Sequence, residues 1–539
     1  MEVKKIVFGD FRGVNNTAPP YSLSFGELLY ALNVYVDRNG NLTTRGGFRK
    51  LFDTPAGVIG LAVYDGVFYL ACKDGKVYKY THAGSLTHIA NHNGTDRVYF
   101  QKFGDYILIV DGSEVKYYHL PSGTTGTVNQ LLYHTQVIGT GNDTQTSFSD
   151  TLLEVPITPS TVKVYVNSTL VGQDDGLGGI VGTGVNGTVN YENGAIVVNF
   201  TTPPANGSEV KVIYSASDVL DVKGRYVLAV NDVLYVAYGS YIYYLERPRD
   251  LTRWLYIGID LWSGGDITGI KNIYSDIIIS KGASIYRLSG TGEDVSVTRI
   301  ANNVGFKHDA CVNFLSDLIF VNEDGIYTLS TVKEWGDIKP SKVNNNFRNE
   351  QVDLVFFLSP EVCVCVGVGQ EKTASFMVSP YTAFSCTYFY SPLDILSFYR
   401  DEDTLHIGAE DGCYVYDERF DKDGDTANEF YVMFRPLADG YNRFVVFRYL
   451  LELLPITPGS YELLVEKDAE GYRQVLANAF SWVSHWNVAT WDVGEWSDQQ
   501  TYIRAKRQTV SGYSLVFLLR LFGLAKVRYF TLEGYSVRG

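Results

Sequence analysis

Side chains able to bind metals or catalyse reactions are few in this sequence and poorly spaced. Three histidines share one polar stretch, His82, His88 and His92, but no Cys or carboxylate is set among them at ligand spacing. The nucleophile elbow Gly-x-Ser-x-Gly, the zinc helix His-Glu-x-x-His and the phosphate loop Gly-x-x-x-x-Gly-Lys do not occur. We therefore expect no enzyme activity, no cofactor and no metal.

Acidic and sulfur-containing side chains also give only a weak indication of a metal site. Asp421, Asp423 and Asp425 alternate as in a calcium loop, but a threonine stands where glycine is needed and no Glu closes the loop. Cys363 and Cys365 flank one residue of a strand-like run, which predicts two small core residues on one face. An exposed acidic turn and a buried strand are the favoured interpretations.

Aromatic residues are concentrated near the C-terminus. Four of the seven tryptophans are Trp482, Trp486, Trp491 and Trp496. If exposed, they would form a patch for a partner or a glycan; if buried, they would form a core and interface cluster. We favour the second interpretation and name all four as candidate partner or assembly contacts.

A hairpin that recurs along the chain is the framework that must position these residues. Its first copy, Asp65 to Tyr80, is an apolar run, a polar turn with glycine and a second run rich in tyrosine, which predicts two antiparallel strands. Further copies begin at Gly104, Asn231, Tyr274, Leu315, Glu361 and Asp401.

The spacing of the copies indicates the fold. They start 39, 127, 43, 41, 46 and 40 residues apart, and the long gap contains a separate segment, residues 136–216. A period of about 40 to 50 residues with several short strands is typical of a β-propeller blade. The sequence therefore predicts an all-β fold, a β-propeller of about seven blades. Six or eight blades stay open because terminal blades often combine both chain ends, and a pair of ordinary sandwiches is the alternative.

The non-repeating segments complete the expected organisation. We predict an N-terminal platform segment at 1–55, a propeller at 56–135 and 217–430, an inserted small β-sandwich at 136–216 and a C-terminal β platform at 431–539. Within the first segment, Ser24 to Leu32 is expected to form a short helix, and Asn33 to Arg45 a hairpin that turns at Asn39 and Gly40.

Charge and hydropathy exclude some function classes. The net charge of -15 argues against a general nucleic-acid binder, because such affinity comes from clustered Lys and Arg. It suits a surface past which DNA slides without sticking. The opening MEVKKIVFGDF is no signal peptide and no apolar run reaches membrane-spanning length, so we expect synthesis in a cytoplasm.

The first fifty residues follow a loose motif of glycines, polar side chains and an arginine. Its positions are Gly13, Asn15, Pro19, Glu27, Asn33, Val34, Gly40, Arg45 and Gly47, with an extra glycine at 46. This order resembles the opening of tail-tube, nozzle and hub proteins of short-tailed bacteriophages. The inserted segment resembles a β module of phage structural proteins, with its Gly-x-Gly, Asn-Tyr-x-x-Gly and Pro-Pro landmarks. The Trp-rich ending is similar to nozzle proteins in composition.

The resemblance implies a structural virion protein, either a tail nozzle or the related hub between portal and tail. Such a protein would form a homo-oligomeric ring of six copies in the virion tail, after synthesis in the host cytoplasm. Its partners would be a portal or adaptor protein, tail fibres or spikes, and phage DNA that passes through the channel without specific binding. Asn33 and Arg45 of the motif then join the four tryptophans as candidate partner or assembly contacts.

Two other functions stay open. A carbohydrate-binding, receptor-binding propeller of the tail would use the C-terminal tryptophans or the inserted sandwich. A propeller hydrolase would use two carboxylates 5 to 10 Å apart, and these need not be neighbours in sequence.

Overall fold

A computed structural model describes most of the chain. The described residues are 3–81, 84–290, 292–315, 317–331, 338–345, 347–348, 352–367, 375–401, 404–438, 442–480, 501–504, 510–512 and 514–538. Apart from strands they include one α-helix, Val128–Leu131, and two 3-10 turns, Pro20–Ser22 and Gly292–Asp294. Among these residues no helix is long and apolar enough to cross a membrane.

The chain divides into two compact units. Unit 1 contains Met1–Asp74, Tyr80–Leu86 and Asn303–Gly539, and unit 2 contains Gly75–Lys79 and Thr87–Asn302.

Unit 2 contains three four-stranded antiparallel sheets in which strands pair in chain order. Their strands are Tyr99–Phe103, Tyr106–Val110, Lys116–His119 and Thr125–Thr127; then Tyr226–Val230, Val233–Tyr238, Tyr241–Leu245 and Trp254–Gly258; then Ile267–Ile273, Asp276–Lys281, Ser284–Ser289 and Ser296–Asn302. A further strand, Lys76–Tyr80, pairs with Thr87–Asn91. The second strand of each of these sheets is almost wholly buried, so the long apolar runs form their cores.

Unit 1 contains sheets of the same kind. Their strands are Cys311–Phe314, Asp317–Asn322, Gly325–Thr331 and Ile338–Lys342; then Leu354–Ser359, Val362–Val366, Phe376–Ser379 and Ser385–Tyr388; then Ile395–Asp401, Thr404–Ala409 and Gly412–Asp417. A hairpin of Val58–Tyr64 and Val67–Cys72 is also present. The last sheet is completed by Gly47–Asp53, which pairs antiparallel with Gly412–Asp417.

The hairpin prediction is confirmed, because the copies from Gly104 onward are the two central strands of these sheets. Neighbouring sheets in unit 2 meet through their first strands, since Tyr226–Val230 contacts both Tyr99–Phe103 and Ile267–Ile273. Four-stranded meanders related in this way are blades. The predicted fold class, an all-β β-propeller, is thereby confirmed, and its last blade does combine both chain ends.

The inserted segment of unit 2 has its own core. Its strands are Tyr133–Thr140, Ser147–Thr151, Lys163–Val166, Thr169–Asp174, Gly179–Gly182, Val185–Val189, Ala195–Phe200 and Glu209–Ser215. They form one continuous antiparallel sheet wrapped around Phe148, Val164 and Val212. Its two end strands approach each other, and the Gln136 side chain donates to Asp150 at 2.8 Å.

A buried arginine fixes this segment to the adjoining blade. The Arg253 side chain is 3% exposed, donates to the Val155 carbonyl at 2.5 Å and lies 3.3 Å from the Glu154 carboxylate. The backbone N–H of Trp254 donates to Ser217 Oγ at 3.0 Å, just after the last inserted strand. The segment is therefore attached through side chains as well as through the backbone.

Replacing Arg253 with alanine is expected to lower the free energy of unfolding of unit 2 by about 1.5 to 3 kcal/mol, because its acceptors lose a charged donor. Hydrogen exchange should rise first around Glu154. Arg247, 55% exposed and 3.8 Å from Glu246, is the matched control. Its alanine variant should stay within about 0.5 kcal/mol of the wild type. Equal effects of the two changes would contradict the buried-anchor assignment.

The two chain ends of unit 1 interleave in the platform. A seven-stranded sheet contains Lys4–Phe8, Val34–Val36, Leu42–Thr44, Asn442–Pro455, Thr501–Arg504, Val510–Gly512 and Ala525–Arg538. A second sheet continues the blade of Leu354–Tyr388 with Leu28–Leu32, Phe430–Phe434, Leu437–Ala438, Gly459–Lys467, Tyr472–Phe480 and Ser514–Phe522. A small pair, Lys422–Asp423 and Thr426–Ala427, lies beside Gly47–Asp53.

The helix expected for Ser24 to Leu32 is wrong. Leu28–Leu32 is a strand that pairs antiparallel with Phe430–Phe434 and in parallel with Tyr388. Two distant strands supply its hydrogen bonds, and this tertiary pairing overrides local helix propensity. The hairpin that follows is confirmed, with Val34–Val36 and Leu42–Thr44 joined by a turn at Gly40.

Candidate assembly interface

The glycines of the opening motif lie where backbones meet closely. Gly13 has a φ of +82°, and a Cβ there would lie 2.6 Å from the Cys386 carbonyl oxygen. A Cβ at Gly46 or Gly47 would overlap the backbone at Asp417 or Lys422. Glycine is therefore required where the opening segment meets strand Ser385–Tyr388 and, at 46 and 47, where it meets the last blade, which explains the doubled glycine.

A second part of the motif closes the loop before strand Leu28–Leu32. Asn15 Nδ2 donates to Glu27 Oε1 at 2.9 Å, and Glu27 Oε2 accepts the Ser24 N–H at 2.7 Å. Burial raises the pKa of Glu27, but the hydrogen bonds from Ser24 and Asn15 outweigh it and hold the pKa below its ordinary value. The charged carboxylate thus fixes the loop.

Arg45 is the centre of a buried network in unit 1, and its side chain is fully buried. Its guanidinium forms a forked pair with Asp423, at 3.0 Å from Nη1 to Oδ1 and 2.6 Å from Nη2 to Oδ2. It also donates to Asn33 Oδ1 at 3.1 Å and to the Tyr390 carbonyl at 2.7 Å. The Phe389 ring lies 4.7 Å from the guanidinium carbon and adds a cation–π contact.

The network ties three separate parts of the chain together. Asn33 Nδ2 donates to the Glu429 carbonyl at 3.0 Å, and the Asp423 carboxylate accepts the Phe48 N–H at 3.1 Å. A buried charge is tolerated only when it is paired and its hydrogen bonds are satisfied, and both conditions hold for Arg45 and Asp423. We call Asn33, Arg45 and Asp423 the platform lock.

The proposed role of Asn33 and Arg45 as partner contacts is corrected by their burial. Both residues are 0% exposed, so neither presents a side chain to another molecule. Their polar groups stabilise the fold, because they join the opening segment to the last blade and to the backbone just before strand Phe430–Phe434. The other candidates, Trp482, Trp486, Trp491 and Trp496, lie outside the described residues.

The structure also shows the role of one of the three alternating aspartates, Asp421, Asp423 and Asp425. Asp423 is buried against Arg45 and is not available to a cation. In the part of the chain that the structure describes, no group of three or more His, Cys, Asp or Glu side chains is placed to hold a metal ion.

The described platform surface carries a row of basic side chains that sequence reasoning missed. The two longest strands, Asn442–Pro455 and Ala525–Arg538, pair over their whole length. Arg448, Arg528 and Lys526 project from them, and their side chains are 46%, 38% and 35% exposed.

Each member of this row is paired with an acid that is more buried than itself. Arg448 lies 3.0 Å from Glu533, which is 28% exposed, and Arg528 lies 3.1 Å from Glu452, which is only 3% exposed. Lys526 lies 3.4 Å from Asp37, which is 2% exposed. The cations thus face outward on a chain whose net charge is -15. We call Arg448, Lys526 and Arg528 the basic row.

The sequence contained a signal for the basic row. In the run AKVRY, residues 525–529, charged residues alternate with apolar ones, as in a strand with one buried and one exposed face. The net charge of the exposed face could not be read from it, because burial of the acidic partners depends on the neighbouring strands.

Comparison with known proteins yields fold-level similarity alone. No family model and no curated protein matches the sequence. Among solved structures, BamB from Moraxella catarrhalis is 9% identical with a TM-score of 0.36, and the match covers 69% of this chain and 97% of that one. Sqt1 from Saccharomyces cerevisiae is 8% identical with a TM-score of 0.35, covering 69% and 99%.

The WD40 β-propeller domain of Doa1 is a further example, 11% identical with a TM-score of 0.35, over 69% of this chain and 96% of that one. At these values the similarity carries no inference about activity, partners or the arrangement of the blades.

Proposed function

We propose that this chain is a structural subunit of the tail of a short-tailed bacteriophage, a nozzle or connector hub that assembles into a ring of six around the DNA exit channel. The observation that carries the proposal is the platform lock. The motif by which the sequence resembles nozzle and hub proteins, with Arg45, Asn33 and the glycines at 13 and 47, forms the junction between the two chain ends. The motif thus has a structural purpose that suits a protein built to carry load.

The charge distribution supports the same proposal. A copy with a net charge of -15 repels DNA, so a ring of such copies lets a genome pass without binding it. The basic row supplies the opposite charge at one place, where an acidic portal or adaptor protein would dock. Neither feature calls for a catalytic residue.

Antibody labelling of phage particles that encode this chain tests the proposal. Gold particles are expected at the tail, and mass spectrometry of purified virions should recover the chain in about six copies per particle. Virions that lack the chain would overturn the proposal. A glycan array tests the alternative function, carbohydrate binding. A protein that only forms the DNA channel should bind no glycan above background.

A further inference from the structure

A loop of unit 2 presents a fully exposed tryptophan. The loop connects strand Trp254–Gly258 to strand Ile267–Ile273, and at its tip Trp262 is 100% and Leu261 56% exposed. A single exposed apolar residue is common on protein surfaces, but a contiguous exposed apolar patch marks a contact site, so the neighbours of Trp262 decide what its exposure means.

The base of this loop is held firmly. The Ile259 N–H donates to the Ser240 carbonyl at 2.8 Å. Buried Lys281 donates to the Ile259 and Asp260 carbonyls, both at 2.8 Å, and Tyr286 donates to the Asp260 carboxylate at 2.6 Å. The base of the loop is therefore fixed, which lowers the entropy cost of ordering the loop on binding.

The tip continues into an apolar surface of the neighbouring strands. Leu261 covers Gly258, whose cross-strand partner is Tyr241. The Tyr241 and Tyr256 rings lie 5.9 Å apart and are 37% and 56% exposed. We call Tyr241, Tyr256, Leu261 and Trp262 the knob. Aromatic side chains bury about 150 to 250 Å² each when they are fully covered. Trp262, Tyr256 and Tyr241 are 100%, 56% and 37% exposed, so together they offer roughly 290 to 480 Å². That is about a third to three fifths of the roughly 800 Å² that each partner contributes to a stable interface.

A groove of 520 Å³ lies in the same unit. Phe103 and Leu251 are its most buried apolar lining, and Tyr106 and Ala229 lie beside them. Its charged lining residues are two cations and two anions, Lys102, Arg249, Asp105 and Asp232. Arg249 and Asp232 lie 2.8 Å apart and so neutralise each other, and the volume is ample for an indole ring.

Groove and knob lie at opposite ends of one strand, Val233–Tyr238. Its first end follows the Asn231–Asp232 turn, which lines the groove. Its last end leads into the Gly239–Ser240 turn, whose carbonyls accept the N–H groups of Ile267 and Ile259 on either side of the knob loop. Six residues at about 3.3 Å each separate the two features by roughly 20 Å.

We propose that the knob of one copy of this chain inserts into the groove of the next copy. The inference rests on the proposed ring assembly and names the contact that drives it. Knob and groove are different surfaces at opposite ends of a sheet, so the contact is heterologous, and a heterologous contact builds a ring when its rotation closes. Trp262 occupies the groove as a central anchor of the interface, the position where tryptophan contributes most to affinity.

Sedimentation velocity of the full-length chain with two variants tests this contact. Trp262→Ala removes the knob, and Ala229→Trp fills the groove. Each variant alone is expected to associate at least about tenfold more weakly than the wild type. An equimolar mixture should form dimers, because one intact knob then meets one intact groove. Leu177→Ala is the matched control, since Leu177 is 91% exposed elsewhere in unit 2 and its removal should change nothing.

The outcomes separate this inference from the proposed function. If Trp262→Ala assembles like the wild type, or if the mixture stays monomeric, the knob-and-groove contact is wrong, whatever the labelling of virions shows. A wild-type chain that never self-associates also overturns it. Glycan binding that Trp262→Ala abolishes would instead assign the knob to carbohydrates. Should Ala229→Trp fail to fold, as judged by its circular dichroism, Tyr106→Ala takes its place in the mixture.

Discussion

Replacing Arg45 with alanine is expected to lower the free energy of unfolding of unit 1 by about 3 to 5 kcal/mol. The change leaves the Asp423 carboxylate buried without its partner, because both side chains are 0% exposed and water has no access to either. It also removes the donor to Asn33 and to the Tyr390 carbonyl. Thermal denaturation followed by circular dichroism measures the loss. Hydrogen exchange should show the opening segment released first.

The matched control is Arg448→Ala, which removes an arginine of the same length from an exposed pair in the same unit. Arg448 is 46% and Glu533 28% exposed, so solvent screens the pair and the expected loss is below about 1 kcal/mol. Arg45→Lys should recover only part of the stability, since an ammonium cannot form the forked pair. If Arg45→Ala and Arg448→Ala lower the free energy of unfolding by the same amount, the platform lock does not hold the chain ends together.

Replacing Gly47 with alanine is expected to lower the free energy of unfolding of unit 1 by about 1 to 3 kcal/mol or more. This is several times the effect of an ordinary surface substitution. The new Cβ would overlap the backbone of Lys422, and backbone cannot give way as a flexible side chain can. Strand Gly47–Asp53 would shift, and the Phe48 N–H would lose its bond to Asp423. Hydrogen exchange of Phe48 and of the Gly424 N–H, which donates to the Phe48 carbonyl at 2.7 Å, reports the displacement.

Gly264→Ala is the control for this substitution. No atom lies within 4 Å of a Cβ at Gly264, so alanine has open space there and stability should change by less than about 0.5 kcal/mol. A silent Gly47→Ala would contradict the close approach of the opening segment to the last blade.

The sequence predicted the blades well because their signal is local. Each hairpin copy holds an apolar run, a turn and a second run within about 16 residues, so pairing and register follow from the pattern. Asn231 and Asp232 illustrate this, since both adopt positive φ in the two-residue turn that Asn and Asp favour. The fourth strand of the last blade, Gly47–Asp53, could not be assigned this way, because its partner lies more than 350 residues away.

The functional surfaces were predicted less well, for a different physical reason. Asn33 and Arg45 stood out as polar residues of a motif, yet polarity alone does not distinguish a surface contact from a buried network. Only the position of Asp423 on a distant turn makes the burial of Arg45 possible. The exposure of Trp262 could not be predicted, because a single tryptophan carries no pattern and its exposure depends on the path of the loop between two strands.

Negative-stain electron microscopy of the purified chain shows whether it assembles into a ring. We expect class averages of a closed ring with a central hole and six-fold symmetry, formed by the wild type and by Leu177→Ala alike. Single particles without rotational symmetry at every protein concentration would contradict the ring-forming role.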